Sequence, residues 1–183
     1  MNTYFTQIKK EFRYYKMLGE KTFNQIPSEK LFWRANDQSN SIAIIVQHLS
    51  GNMRSRWTDF FTTDGEKKWR EREAEFRIVI TSKTEMISVW NKGWNCLFKA
   101  LDQLSQNDLD RTIYIRNMGH TVREAIHRQL AHYAYHVGQI VFLGKLIADE
   151  NWSSLSIPVG ESDRYNQEKF AEPKERKHFT DDL

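Results

Sequence analysis

A single cysteine, Cys96, stands in this chain of 183 residues, which excludes an internal disulfide and fits a reducing compartment. Three prolines and eight glycines are too few for the many tight turns of an all-β fold and favour long helices. No apolar run approaches the roughly 20 residues of a membrane span. The amino-terminal Met1-Asn2-Thr3-Tyr4-Phe5 has no basic stretch followed by an apolar one, so the expectation is a cytoplasmic protein with no membrane partner. An excess of one charge is also missing. With 27 Lys and Arg against 24 Asp and Glu the net charge is +3, and the signs interleave, as in Glu66-Lys67-Lys68 and Arg70-Glu71-Arg72-Glu73. Lacking a basic stripe, the chain is not expected to bind nucleic acid. The charged run from Glu66 to Glu75 reads as a solvated crossover.

What is present is apolar material in helical register. Hydrophobic residues make up 39% and aromatics 13%, enough for one sizeable core. Phe5, Ile8, Phe12 and Tyr15 recur at intervals of three and four, which predicts a first helix from about Thr3 to Phe23. Ile42, Ile45, Leu49 and Met53 predict a second, capped by Ser39 or Asn40 and running to about Phe61. The stripe from Phe76 through Val79, Lys83, Ile87, Trp90, Trp94 and Leu97 to Leu101 predicts a third, with Lys83 snorkelling outward. A second arc on that helix, Met86, Val89, Gly93, Cys96 and Ala100, suits close approach of another bundle helix or of a second copy.

Ile113 and Ile115 alternate with polar neighbours, so the segment from Asn107 to Asn117 is expected to be an extended connector or a short strand. Thr121-Val122-Arg123-Glu124 is a capping box that opens a fourth helix reaching about Glu150. The fold class is all-α: a four-helix bundle with long crossover connections over residues 1–160, followed by a polar C-terminal tail over 161–183 whose last dozen residues are mobile.

His132 and His136, four residues apart on the fourth helix, project from one face, roughly 80 to 110° from the centre of its apolar side. His48 lies on the flank of the second helix, beside Asn52. Three imidazoles from two helices can hold a cation and leave a position for water or substrate. The spacing alone also suits half-buried histidines bonded to backbone, and it leaves both readings open. His120, His127 and His178 project elsewhere. Asn52, Gln129 and Gln139 could each orient an imidazole or a substrate, although such residues more often make plain helix-stabilising hydrogen bonds. Cys96 has no motif around it and reads as an inert packed thiol. Glu124, Asp149 and Glu150 are caps or solvated charges rather than a general base. Tyr133 occupies the place of the acid in an HExxH zinc motif, which excludes that peptidase chemistry.

The segment TVREAIHRQLAHYAYHVGQIVFLGK, residues 121–145, with its HxxxHxGQI core, resembles the DinB family of bacterial four-helix-bundle metalloproteins. The run HLSGNMRSRWTDFFTTDGEKKWRERE, residues 48–73, and SLSIPVGES, residues 154–162, are similar to a Bacillus-type subgroup of that DinB/YfiT-like fold. The resemblance covers most of the chain. It implies a divalent metal, zinc, nickel or iron, on His48, His132 and His136 with one position open, and pairing into homodimers. Relatives in the family include mycothiol-dependent maleylpyruvate isomerase and bacillithiol S-transferases. The leading expectation is therefore a metal-dependent enzyme acting on a small-molecule substrate, a thiol S-transferase with a low-molecular-weight thiol such as bacillithiol as second cofactor. The alternatives are a metal-dependent hydrolase and a non-catalytic, metal-stabilised stress or interaction protein.

Overall fold

A computed structural model describes residues 4–77 and 79–182. Its order is α1 (Tyr4–Phe23), α2 (Ile42–Trp57), α3 (Lys83–Asp102), the strands β1 (Thr112–Ile115) and β2 (Met118–Thr121), α4 (Val122–Ala148) and α5 (Ser162–Ala171). The molecule is an all-α helical bundle in which α1 packs on α4 and α2 on α3, with α2 also meeting α4. Thr3, the expected first helical residue, and Leu183, at the end of the tail, lie outside the described residues. Among the described residues, no helix is long and apolar enough to cross a membrane.

The centre of the bundle is aromatic. Trp90, Trp94, Phe12 and Tyr133 are completely buried, and their rings meet at centroid separations of 5.3 to 6.4 Å in tilted or edge-on pairs, the geometry that aromatic quadrupoles favour. Gly93 lets α3 approach α2: a Cβ there would lie 2.8 Å from Ser50 Cα and 3.1 Å from Met53 Sδ. The small-residue arc of α3 is thus a contact inside the bundle.

Several boundaries differ from expectation, each for a local reason. Ser41, rather than Ser39 or Asn40, caps α2, its hydroxyl accepting from the Ile44 N–H at 3.2 Å. That helix stops at Trp57 because Thr58 turns extended and Asp59 takes a positive φ of 47°. The third helix starts at Lys83, capped by Ser82; Phe76 and Val79 precede it, although they continue its apolar spacing. Lys83 does not snorkel outward. Its ammonium donates to the Phe23 carbonyl at 2.6 Å, satisfying an oxygen at the end of α1. The capping box of α4 forms as read, with Glu124 N–H on the Thr121 hydroxyl and Thr121 N–H on the Glu124 carboxylate. In the tail, α5 was not foreseen, and the last turn is not loose: Phe179 packs edge-on against Tyr14 and Asp181 pairs with Lys10.

The connector before α4 is a hairpin. Thr112 pairs with Thr121 and Ile115 with Met118, around a two-residue turn, Arg116-Asn117, in which both φ angles are positive (55° and 61°). The left-handed region is costly for residues other than glycine, and Asp64 secures the turn by accepting the backbone N–H groups of Arg116 and Asn117 at 2.8 and 2.9 Å. Burial pushes the Asp64 carboxyl up, but the three backbone donors Asn117, Glu66 and Arg116 hold it below its usual value.

Gly93→Ala is expected to cost about 1 to 3 kcal/mol by overpacking the α2–α3 contact, read as a lower urea midpoint at unchanged slope. An unchanged midpoint would contradict the close approach.

Candidate metal centre

Residues four apart share a helix face, and two such files meet where α2 and α4 approach. One carries His48, Asn52 and Arg56; the other carries Arg128, His132 and His136. Together with Arg70, Arg72, Phe76, Arg116 and Gln129 they line a cavity of about 320 Å³. The three histidines come together as expected. One ring nitrogen from each lies within 4.8 Å of the other two, and His48 Nε2 is 3.4 Å from His132 Nε2. A tetrahedral ion bound at about 2.0 to 2.1 Å to two imidazoles would separate their nitrogens by about 3.3 Å. The pair already stands at that spacing.

Hydrogen bonds on the far side of two rings set which nitrogen is free. His48 Nδ1 lies 2.9 Å from Glu75 Oε2, and a carboxylate can only accept, so Nδ1 carries a hydrogen and Nε2 is the nitrogen turned toward His132. His136 Nδ1 donates to Gln139 Oε1 at 2.8 Å. Anchoring of this kind is what orients metal-binding histidines. Burial first, then the neighbouring charges of His136 and His48, lowers the His132 pKa to about 3, and burial also lowers that of His136. Both rings are neutral at neutral pH and able to donate electron pairs. The trio therefore fits a divalent cation.

The crossover expected to be solvated is instead part of the site. Residues 72–76 form a short 3-10 turn held by Gln47, whose side-chain amide lies 2.9 to 3.0 Å from the carbonyl oxygens of Ala74, Glu75 and Arg77. Phe76 stacks on His48, ring centroids 4.9 Å apart. Glu75 is buried against α2 at Gly51, where a Cβ would collide with its carboxylate. Arg70, its side chain 2% exposed, grips that carboxylate with Nε and Nη2 at 2.7 and 2.8 Å. Burial raises the Glu75 pKa, but Arg70 and His48 outweigh it and keep the group ionised. Glu66 Oε2 is in turn shared by Arg56, Arg70 and Arg116 at 3.1 to 3.3 Å. Sequence reasoning missed Glu75, Arg70 and Arg116. Arg56, at the four-residue interval after His48 and Asn52, was the one with a readable signal.

A family model described as "Protein of unknown function (DUF1572)" matches residues 1–161. The chain belongs to that family. Comparison with curated proteins and with solved structures finds no match. The DUF1572 match takes in all three histidines, the crossover and the hairpin, and ends just before α5.

Three polar side chains complete this DUF1572 site. Tyr133, fully buried, accepts from Trp57 Nε1 at 3.0 Å and donates to Asn52 Oδ1 at 3.1 Å, which leaves the Asn52 amide hydrogens for other acceptors. Gln129, 3% exposed, lines the cavity with an Oε1 that has no partner. Cys96 is not among the lining residues; its thiol lies 3.5 Å from the Thr58 hydroxyl, in keeping with a packed role.

The depressed histidine pKa values carry a sign. Below the ordinary value of 6.5 the unfolded chain binds protons that folded His132 does not, so their stabilising contribution is complete above about pH 6.5 and is lost as the pH falls. The melting temperature of metal-free protein is expected to drop between about pH 7 and about pH 5, and to drop less in His132→Gln. A flat profile for the native chain would contradict the lowered pKa of His132.

Proposed function

We propose that His48, His132 and His136 hold one divalent cation, with a position open to the cavity, and that the protein is a metal-dependent enzyme of the DinB type, a thiol S-transferase. The observation that carries this reading is the convergence of three imidazoles, two of which have their Nδ1 hydrogens tied back to Glu75 and Gln139. Zinc, nickel and iron all accept such a set.

A bound divalent cation would supply acidity, lowering the pKa of a thiol or water brought to its open position. The residues around it supply order. Glu75 and Gln139 hold two rings in the required tautomer, Phe76 covers the His48 face, and Asn52, fixed by Tyr133, offers N–H donors to a substrate.

The choice of a thiol over water rests on what lines the cavity. Among the described lining residues there is no carboxylate, and Glu75 is committed to Arg70 and His48. A bound cation can bring water to a pKa of about 7, but a hydrolase also needs a base to move protons between the attacking water and the leaving group, and no lining carboxylate is placed to do so. A thiol, with an ordinary pKa of about 8.5, becomes the nucleophile on losing one proton and needs no such base.

The test is conjugation of a fluorogenic electrophile such as monochlorobimane to a panel of low-molecular-weight thiols, with and without added metal. Metal-dependent turnover with at least one thiol is expected, lost in His136→Ala while circular dichroism shows the helices intact. No turnover with any thiol would sink the transferase reading, and hydrolysis or a non-catalytic metal-stabilised role would replace it.

A further inference from the structure

The cavity over the three histidines is lined by more positive charge than its neighbours neutralise. Of the five arginines that line it, Arg56 is buried and the Arg70 side chain is nearly so, while Arg72, Arg116 and Arg128 are exposed. Three carboxylates pair with these five guanidinium groups, and Asp64, committed to the backbone N–H groups of Glu66, Arg116 and Asn117, adds a fourth negative charge near Arg56. Glu75 is held by Arg70, and Glu66 is divided among Arg56, Arg70 and Arg116. Glu73 meets Arg72 in a pair whose members are 85% and 48% exposed, a contact that water screens almost entirely. Among the described residues no carboxylate pairs with Arg128, whose Nη1 donates instead to His120 Nε2 at 3.0 Å.

Two buried atoms at this cavity, one donor and one acceptor, are also without partners. Arg56, 7% exposed, has an Nε–H with no acceptor, and Gln129, 3% exposed, has its unpartnered Oε1. Both residues line the cavity. Buried polar atoms are seldom left unmet, and an unmet guanidinium N–H calls for an oxygen, by preference an anionic one. At about 320 Å³ the space equals roughly ten water molecules at about 30 Å³ each, which suits a small molecule and not a polymer segment.

We infer that the substrate taken by this cavity is a small anion whose carboxylate or phosphate group is bound by Arg72 and Arg128 while its reacting end reaches the three histidines. The inference rests on the metal-enzyme reading of the site and names the substrate class within it. Guanidinium forks are suited to both carboxylate and phosphate oxygens, and the exposed rim residues are held, among the described residues, only by the Phe76 ring and Glu73 at Arg72 and by His120 at Arg128. The surplus charge also draws anions toward the opening before contact.

Calorimetric titration of zinc-loaded protein with inorganic phosphate and, separately, with succinate tests this, alongside Arg72→Gln, Arg128→Gln and the double variant, with metal content measured in each sample. At least one anion is expected to bind, more weakly as sodium chloride is raised, and the double variant to lose about tenfold or more in affinity at unchanged metal content. Tighter phosphate marks a phosphorylated substrate and tighter succinate a carboxylate. Absence of binding by both anions, or equal affinity in the double variant, overturns the inference and leaves the metal reading standing. Arginine-dependent anion binding by a protein that takes up no metal supports the inference and removes the metal reading instead.

Discussion

The carboxylate of Glu75 joins three parts of the molecule that would otherwise have little to do with one another. It accepts from His48 Nδ1 on α2 at 2.9 Å, takes both arms of Arg70 from the crossover, and lies in the notch that Gly51 leaves in the α2 surface. A charge so deeply buried persists only when it is paired and hydrogen-bonded on every side, and removing one partner leaves the others with an unmet desolvation cost of about 3 to 5 kcal/mol. Here the partners are complete. Arg70 supplies two donors in a fork that matches the carboxylate, and the histidine supplies the third.

From that centre the order of the site follows outward. Because Glu75 is ionised and can only accept, a hydrogen of His48 is placed on Nδ1 and its Nε2 faces His132. Because Arg70 also reaches Glu66, the same chain extends to Arg56 and to Arg116 at the hairpin turn. The turn in its turn depends on Asp64, which accepts the two backbone N–H groups of residues held at positive φ. Helix, crossover and hairpin are thus tied through alternating charges, with the histidines at one end and the exposed arginines at the other.

What could be read in advance divides along physical lines. The stripes of α1 and α4 and the capping box at Thr121 are local patterns, and local patterns survive into the structure. The histidine trio was legible because His132 and His136 share a helix face and because residues 48 and 121–145 resemble a known arrangement. The Glu75 contacts had no such signal: His48 and Glu75 are 27 residues apart, and a run of alternating charges looks the same whether water or a helix surface solvates it. Phe76 fitted the apolar period of α3 and yet lies before that helix, since the same apolar ring serves equally well stacked on His48. The hairpin was half visible in Ile113 and Ile115, both buried, while its turn, lacking the usual glycine, depends on the distant Asp64.

The central claim, that this chain of ion pairs exists to present three imidazole lone pairs to one cation, is tested most directly by anomalous diffraction from crystals of the zinc-loaded protein. The account predicts a single peak per chain, bonded to Nε2 of His48, His132 and His136, with Glu75 on Nδ1 of His48 and outside the coordination shell. A peak at any other place, a peak bonded to Glu75 in place of His48, or no peak at the histidines would contradict it.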